Sequence, residues 1–241
     1  MPALLPYETQ TAYRERYRAA RPGWMASGDQ FDFIVQRWLT KETAVLDLGC
    51  GRTGGIERFW KGARVAVGID PDGESLRDRD RNGLPVLRGS GDHLPFADRA
   101  FDMVVSVWVL EHLDAPSGVF AEAARVLKPG GHFIFLTPNA MNPLILANRV
   151  GQVAPWLQHR LVSNVYGRAK GDTFAVRYRA NTTGRIRKLA RASGFSVMEL
   201  RVIADPTYVA FNPALFRAAM LADRVTPSGL GVHILGDLIR N

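Results

Sequence analysis

The stretch VLDLGCGRTG at residues 45–54 decides the fold of this chain. A short apolar run ends in a G-x-G-x-x-G cluster, whose glycines allow a tight turn and a close approach to a ligand. A second apolar run, residues 64–70, ends in Asp70, 21 residues after Gly49. A carboxylate there can accept hydrogen bonds from ribose hydroxyls, so the spacing predicts a nucleoside site. The alternative is a simple strand–helix turn followed by a surface aspartate.

The rest of the chain supports a series of βαβ units, because short apolar runs alternate with helical patterns. Residues 101–109 are almost continuously apolar, which is typical of a central parallel strand buried on both faces. Further strands are predicted at residues 85–88, 133–137, 195–202 and 232–239, and helical segments at 56–60, 119–127, 182–194 and 213–225.

Four segments of one domain are predicted from these patterns. Residues 1–41 form an N-terminal helical cap, and residues 42–138 form the core that contains the glycine stretch. Residues 139–181 form an insertion after the fifth strand, and residues 182–241 supply the C-terminal helix and strands. The predicted class is therefore an α/β fold with helices on both sides of a sheet.

Composition excludes several classes of protein. One cysteine in 241 residues excludes a disulfide scaffold and a cysteine-only zinc site. No apolar run approaches the roughly 18 residues of a membrane-spanning helix. The first residues carry no secretory signal pattern. We therefore expect a cytoplasmic protein. Peripheral contact with a membrane surface is an alternative that the charge distribution described next leaves open.

The net charge of +8 is concentrated in one part of the chain. Residues 139–194 carry ten basic side chains and a single acidic one, Asp172, whereas residues 1–138 and 195–241 are close to neutral. Such a segment in an otherwise neutral chain predicts one basic face or lid.

Asp47 narrows the nature of the nucleoside ligand. It stands two residues before the first glycine, where its charge would repel a pyrophosphate and attract a cation such as an α-ammonium group. This placement favours a conjugate of an amino acid and a nucleoside over a dinucleotide.

The glycine stretch belongs to a longer set of motifs. LPF at 94–96, FDMVVS at 101–106, VLEHL at 109–113 and LKPGG at 127–131 follow it in order. Together they resemble class I S-adenosylmethionine-dependent methyltransferases, especially the type 11 branch that includes ubiquinone and menaquinone methyltransferases. The resemblance is strong over residues 42–138 and looser over 182–240. It implies a Rossmann-like seven-stranded sheet whose last strand is antiparallel, and S-adenosyl-L-methionine as the cofactor. It also implies that residues 42–138 are the core that binds this cofactor and that residues 139–181 cover the substrate.

The resemblance also implies site residues. The glycines would frame the methionine part of the cofactor, Asp47 would help to hold it, and Asp70 would bind the ribose. The family often has Gly-Asp-Ala before Leu-Pro-Phe, but here Ser90 takes the aspartate position, so either Ser90 or Asp92 would contact the adenine. The implied cofactor-binding residues are Asp47, Gly49, Cys50, Gly51, Gly54, Asp70, Pro71, Ser90, Gly91, Asp92 and Val107.

Three residues are candidates for catalysis, and no metal is expected. His112 follows the fourth strand, and its ordinary pKa suits proton removal at neutral pH. Glu111 and His112 could instead pack against and cap the cofactor pocket. Asn139, after the fifth strand, could orient the acceptor or simply end the strand.

Two features of the sequence predict the acceptor: a motif that is missing after the fourth strand, and the positive charge of residues 139–194. No Asp/Asn-Pro-Pro-aromatic sequence follows the fourth strand, which lowers the expectation of an amino-group acceptor and leaves oxygen ahead of carbon or nitrogen. Arginine suits phosphate or carboxylate, so a small anionic, lipid-linked or glycan-linked acceptor is predicted, with a solvated basic face as the alternative. The basic residues are Arg149, Arg160, Arg168, Lys170, Arg177, Arg179, Arg185, Arg187, Lys188 and Arg191.

Rival functions remain open at this level. The basic segment could serve an RNA acceptor, although no RNA-binding module is recognisable. The glycine pattern could belong to an NAD-dependent oxidoreductase, and a protein could bind S-adenosylmethionine without catalysis.

Overall fold

The computed structural model describes residues 7–77, 83–143, 145–146, 175–210 and 212–241. Within them, seven strands form one sheet in the order β3-β2-β1-β4-β5-β7-β6, and β7 is antiparallel. The predicted fold class is therefore confirmed. The strands are β1 Ala44–Leu48, β2 Val65–Asp70, β3 Val86–Arg88, β4 Phe101–Val107, β5 Leu127–Pro138, β6 Phe195–Ile203 and β7 His233–Arg240.

The strands at the centre of the sheet are buried because their sequences are apolar on both faces. All five residues of β1 are buried, and β1 pairs in parallel with β2 on one side and β4 on the other. β3 and β5 add to these strands in parallel. The carboxyl ends of β1 to β4 therefore lie at one edge of the sheet, where ligands bind in folds of this type.

The described helices are α1 Tyr7–Ala20, α2 Ser27–Trp38, α3 Gly73–Arg77, α4 Pro116–Val126, α5 Thr183–Ala192 and α6 Pro213–Val225. The predicted start of α5 is confirmed, because the Thr182 side chain caps it by accepting a hydrogen bond from the Arg185 amide. None of the helices in the described ranges combines the length and apolarity needed to cross a bilayer.

The chain divides into two compact units. One comprises residues 1–29, 139–175 and 202–233, and the other comprises residues 30–138, 176–201 and 234–241. The second unit contains the glycine stretch and most of the sheet. The four predicted segments of the domain stay a prediction.

The helix predicted at residues 56–60 is wrong. Residues 55–59 form turns that lead into a short 3₁₀ helix, Trp60–Gly62. Most of the backbone hydrogen bonds here span three residues, as in Gly62 to Phe59. The adjacent glycines 54 and 55 disfavour an α-helical start, and no side chain caps the 3₁₀ helix.

The fifth strand begins earlier than predicted. β5 follows α4 directly at Leu127, so the KPGG sequence that was expected to separate helix from strand lies inside the strand. Its pairing with β4 jumps from Phe101–Leu127 to Met103–His132. The extra residues form an irregularity in which Gly130 adopts a φ of +78°.

Aromatic and polar side chains hold the first compact unit together. Tyr13 and Tyr17 of α1 pack with Phe216 of α6 in a buried cluster. The Tyr17 hydroxyl donates to Asp223 Oδ2 at 2.6 Å, and burial raises the pKa of that phenol. Trp24 donates to the Ala204 carbonyl at 2.9 Å.

His233 is a buried histidine whose pKa lies well below its ordinary value. Its Nδ1 lies 2.8 Å from the Ser27 hydroxyl, and the side chain is buried. Burial lowers the pKa of His233 from 6.5 to about 4, and the positive charge of Arg14 adds to this shift. The imidazole therefore stays neutral in the folded protein at pH values where an exposed histidine would be charged.

We expect His233 to make the protein less stable in mild acid. Between pH 6.5 and 4 the unfolded chain binds a proton at this position that the folded chain does not. The free energy of unfolding therefore falls by about 3 kcal/mol as the pH falls from 6.5 to 4. In His233→Asn, which keeps a polar atom near Ser27, this pH-dependent loss should disappear. Urea unfolding of both proteins from pH 7.5 to 4 measures it.

The comparison between the two proteins isolates this one histidine. Burial raises the pKa of Asp205, so this group makes the folded protein more stable as the pH falls. That contribution is common to both proteins. Equal slopes of stability against pH in wild type and variant would contradict the assignment.

Candidate cofactor and catalytic site

The glycine loop after β1 is fastened to the end of β2. The amides of Gly49 and Cys50 both donate to the Ile69 carbonyl, at 2.8 and 3.2 Å. Gly49 has a φ of +73° and Gly51 a φ of +47°, values that suit glycine. A Cβ at Gly49 would also lie 2.2 Å from Val109 Cγ2, so position 49 admits only a glycine in this conformation.

Asp47 lies fully buried beneath this loop. Its Oδ2 accepts a hydrogen bond from the Ile56 amide at 3.3 Å. Gly55 approaches both Asp47 Oδ1 and Val107 Cγ2, since a Cβ there would lie 3.4 and 3.0 Å from them. A buried carboxylate under a glycine turn suits a cationic group, because charge opposite to its own favours its ionised form.

Asp70 braces the loop from the neighbouring strand. Its Oδ2 accepts from the Gly51 amide at 2.9 Å and its Oδ1 from the Asp72 amide at 2.8 Å. A carboxylate has about four acceptor positions, so these two contacts leave capacity for ribose hydroxyls. Pro71 follows directly, exposed, and its carbonyl accepts from Arg88.

Cys50 contributes backbone, not its thiol, to this loop. The side chain is buried against Gly68 of β2, where a Cβ would lie 2.7 Å from its Sγ. Gly54 lies at the end of the loop, and its carbonyl accepts from the Glu57 amide at 3.4 Å.

Ser90 and Asp92, the two alternatives for the adenine contact, bind each other. The Ser90 hydroxyl donates to Asp92 Oδ1 at 2.5 Å, and this bond is the main reason that the pKa of Asp92 lies below its ordinary value. Gly91 between them packs against Leu48 of β1. The Gly89 amide donates to the Asp70 carbonyl at 3.1 Å, so this loop starts beside Asp70.

Glu111 and His112 lie on the loop that follows β4. Glu111 is buried, and its Oε1 lies 3.9 Å from Nε2 of His112, whose side chain is 25% exposed. The Glu111 carbonyl accepts from the amides of Arg177 and Tyr178, at 2.6 and 3.0 Å. The predicted pair is thus adjacent in space, and Val109 of the same loop contacts the glycine loop at Gly49.

Two further residues belong to this part of the site and were missed in the sequence. Thr137, the penultimate residue of β5, donates to Glu111 Oε2 at 3.1 Å. Asn181 donates to Thr137 Oγ1 at 2.6 Å. The available signal was a polar residue, Thr137, at the end of an otherwise apolar strand.

Asn139 belongs to the first compact unit, where its side chain is occupied. Its amide nitrogen donates to the carbonyls of Gly229 and Gly231, at 3.0 and 2.8 Å, and its Oδ1 accepts from the Met141 amide. These contacts hold the segment at 229–231, and a role in orienting the acceptor stays a prediction. Across the described parts of the chain, no three His, Cys, Asp or Glu side chains are grouped as a metal site.

The basic residues fall into three groups. Arg149, Arg160, Arg168 and Lys170 lie outside the described residues. Arg177 pairs with Asp114, with Nε and Oδ1 2.9 Å apart, and Arg179 donates to the Asp114 carbonyl. The cations of α5 are exposed and, within the described ranges, have no acidic partner; they are Arg185, Arg187, Lys188 and Arg191.

Residues 46–135 match the family described as a methyltransferase domain. This part of the chain is therefore a class I S-adenosylmethionine-dependent methyltransferase domain, as its motifs predicted.

Curated relatives match less than half of the chain. A fatty-acid O-methyltransferase of Mycolicibacterium smegmatis is 40% identical over 98 residues, which cover 38% of this chain and 35% of that protein. A ubiquinone biosynthesis O-methyltransferase of Hahella chejuensis is 37% identical over 120 residues, covering 46% of this chain and 49% of the relative. The chain thus matches between about a third and a half of the length of these relatives.

The fold is shared over a longer stretch. Geranyl diphosphate C-methyltransferase from Streptomyces coelicolor A3(2) superposes with a TM-score of 0.61 at 14% identity, covering 88% of this chain and 77% of that one.

We expect Gly49→Ala to weaken binding of S-adenosylhomocysteine at least about tenfold, because the new methyl group must displace Val109 and distort the loop. Gly130→Ala is the matched control: its φ is +78°, yet no atom lies within 4 Å of a Cβ there. Its cofactor affinity should equal that of wild type. Isothermal titration calorimetry measures both affinities.

A double variant tests the cause of the loss. Val109→Ala removes the contacted methyl groups, so Gly49→Ala/Val109→Ala should recover much of the affinity. If Gly49→Ala binds as wild type does, the glycine loop is not the cofactor cradle.

Proposed function

We propose that this protein is an S-adenosylmethionine-dependent methyltransferase that methylates an oxygen of a small-molecule acceptor, one that is anionic or carried on a lipid or glycan. The observation that carries the proposal is the glycine loop braced by Asp70 above the buried carboxylate of Asp47, within the matched methyltransferase domain. Carbon and nitrogen acceptors are second choices.

The residues around the loop fit the cofactor's three parts. Asp47 would attract the α-ammonium group, Asp70 would accept hydrogen bonds from the ribose, and the Ser90–Asp92 pair would meet the adenine. A buried carboxylate at position 47 repels a pyrophosphate, which disfavours an NAD-dependent oxidoreductase. The backbone of the loop and of the following strand ends would complete the site through Gly49, Cys50, Gly51, Gly54, Pro71, Gly91 and Val107.

His112 is the proposed general base. When bound, S-adenosylmethionine supplies an electrophilic methyl group and a neutral leaving group. The protein's main task is to align the acceptor, and a base is needed where a hydroxyl must lose its proton. His112 is partly exposed and would take that proton, while the buried Glu111 beside it would stabilise the imidazolium that forms.

The acceptor class rests on charge and on the relatives. The exposed cations of α5 have no acidic partner among the described residues and suit phosphate or carboxylate groups. Two matched relatives are named for fatty-acid and ubiquinone O-methylation, which supports a lipid-type acceptor and oxygen as the methylated atom. An RNA acceptor would use the same cations, and a non-catalytic S-adenosylmethionine-binding protein is the alternative of another class.

A labelled-methyl screen tests the acceptor class. Extracts separated by charge and lipid solubility are incubated with the protein and methyl-labelled S-adenosylmethionine, and we expect label in an anionic or lipid-soluble product. His112→Gln should reduce labelling at least about a hundredfold, because the base is lost, while its affinity for S-adenosylhomocysteine is unchanged.

The alternatives predict different results in the same screen. Labelled products that are all neutral and water-soluble would contradict the proposed acceptor class, and label in RNA would favour the RNA-directed reaction. Cofactor binding without any labelled product would indicate a non-catalytic protein.

Flotation with vesicles tests contact between the basic helix and a membrane. Wild-type protein should float with phosphatidylglycerol vesicles at low salt, and Arg187→Glu/Arg191→Glu should lose at least about tenfold in binding, since each basic side chain near an anionic surface contributes ~1 kcal/mol. Arg217→Glu/Arg224→Glu reverses two exposed charges of α6 and is the matched control.

The control variant should float as wild type does. No flotation of the wild-type protein at low salt would rule out the membrane contact, and equal losses in both variants would show an effect of net charge alone.

A further inference from the structure

A chain of buried polar side chains runs from Asn181, two residues before α5, to the loop that carries Glu111 and His112. Asn181 Nδ2 donates to Thr137 Oγ1 at 2.6 Å, and Thr137 donates to Glu111 Oε2 at 3.1 Å. Asn181 and Thr137 are completely buried, and Glu111 is 5% exposed. Buried polar groups are costly unless they are hydrogen-bonded, so a chain of three in one place calls for a physical reason.

The direction of each hydrogen bond follows from the neighbours. Asn181 Nδ2 also donates to the Pro138 carbonyl at 3.1 Å, and a carbonyl can only accept. This contact identifies the nitrogen side of the amide, so Thr137 Oγ1 accepts from Asn181 and must direct its own hydrogen to Glu111. Glu111 Oε2 is therefore the acceptor of this hydrogen bond.

The main chain of Glu111 is held by hydrogen bonds, as its side chain is. Its carbonyl accepts from the amides of Arg177 and Tyr178. Among the described residues, the charged groups paired beside this loop include Asp114 on the loop itself and Arg177 and Arg179 from the opposite segment, and both arginines contact Asp114. Glu111 Oε1 lies 3.9 Å from Nε2 of His112.

We propose that Thr137 and Asn181 are positioning residues of the methyltransferase. They hold Glu111 as an oriented carboxylate beside His112, so that the imidazole keeps its orientation and is stabilised when it takes the acceptor's proton. The inference rests on the proposed function, in which His112 is the base. Neither Thr137 nor Asn181 touches the reacting groups; each acts through Glu111.

Local packing gives no reason for a hydroxyl at position 137. The five residues from Phe133 to Thr137 are buried in β5, and the other four are apolar. Valine has the shape and the strand preference of threonine without its hydroxyl. The hydroxyl is thus the part of this side chain that serves Glu111.

Thr137→Val tests the inference because it removes only the hydroxyl. The ring titration of His112, followed by NMR of labelled histidine and assigned with His112→Gln, should shift its midpoint down by about one pH unit as Glu111 loses its orientation. Thr137→Ser keeps the hydroxyl and should restore the wild-type midpoint. Asn181→Ala should cause a smaller shift in the same direction.

Asn181 and Thr137 act in series on Glu111, so their effects on His112 should not add. Because the hydrogen bonds of the described residues connect Asn181 to Glu111 through Thr137, Thr137→Val/Asn181→Ala should shift the His112 midpoint no further than Thr137→Val alone. Additive shifts of the two single variants would overturn the series arrangement.

Thr43→Val is the matched control for a merely structural loss. Thr43 is also buried beside the sheet, and its hydroxyl accepts from the Thr40 amide at 2.8 Å and donates to the Trp38 carbonyl at 3.2 Å. This variant should lose stability but leave the His112 titration unchanged. An equal shift in Thr43→Val, or no shift in Thr137→Val, would overturn the inference.

Kinetics separate this inference from the proposed function. With an acceptor from the labelled-methyl screen, Thr137→Val should lower kcat about tenfold with KM unchanged, and Thr137→Ser should recover it. If no acceptor is methylated, the proposed function fails, yet the His112 titration still decides whether Thr137 and Asn181 position Glu111.

Discussion

The carboxylate of Asp70 accepts hydrogen bonds from the amides of Gly51 and Asp72. The geometry of the candidate site depends on these two hydrogen bonds. The carboxylate ties the loop after β1 to the end of β2, where Gly49 and Cys50 already share the Ile69 carbonyl. The next loop starts from the carbonyl of Asp70 itself, through the Gly89 amide. One residue thus joins three strand ends at the edge of the sheet where ligands bind.

Buried polar groups mark the same edge. Asp47 lies under the glycine loop, and Glu111 lies on the loop after β4, where Thr137 donates to it and Asn181 donates to Thr137. The strands that lead to them are apolar, so these groups are held in surroundings where water does not compete and each contact is stronger than at the surface. The cations of α5 are the opposite case: they are exposed, so water and salt weaken any ion pair that they form.

Local patterns predicted the parts of the site that adjacent residues create. The glycine spacing and Asp70 were found from the sequence because they belong to one βαβ unit, and the start of α5 was found because Thr182 caps it locally. The segment at 56–60 has helical spacing but turns instead, since two glycines precede it. No local pattern predicts Thr137 and Asn181 as site residues. Thr137 lies 26 residues from its partner Glu111, and Asn181 lies 44 residues from its partner Thr137.

The sequence by itself determined the class of fold, the glycine loop and the identity of its acidic partners, because hydrophobic periodicity and backbone conformation act over a few residues. It also determined where the positive charge lies along the chain. Only the tertiary structure decided that Cys50 turns its thiol away into β2 and that Ser90 and Asp92 bind each other. It alone showed that Glu111 is held by donors from two distant segments, because hydrogen bonds between such residues form only when the sheet brings the strand ends together.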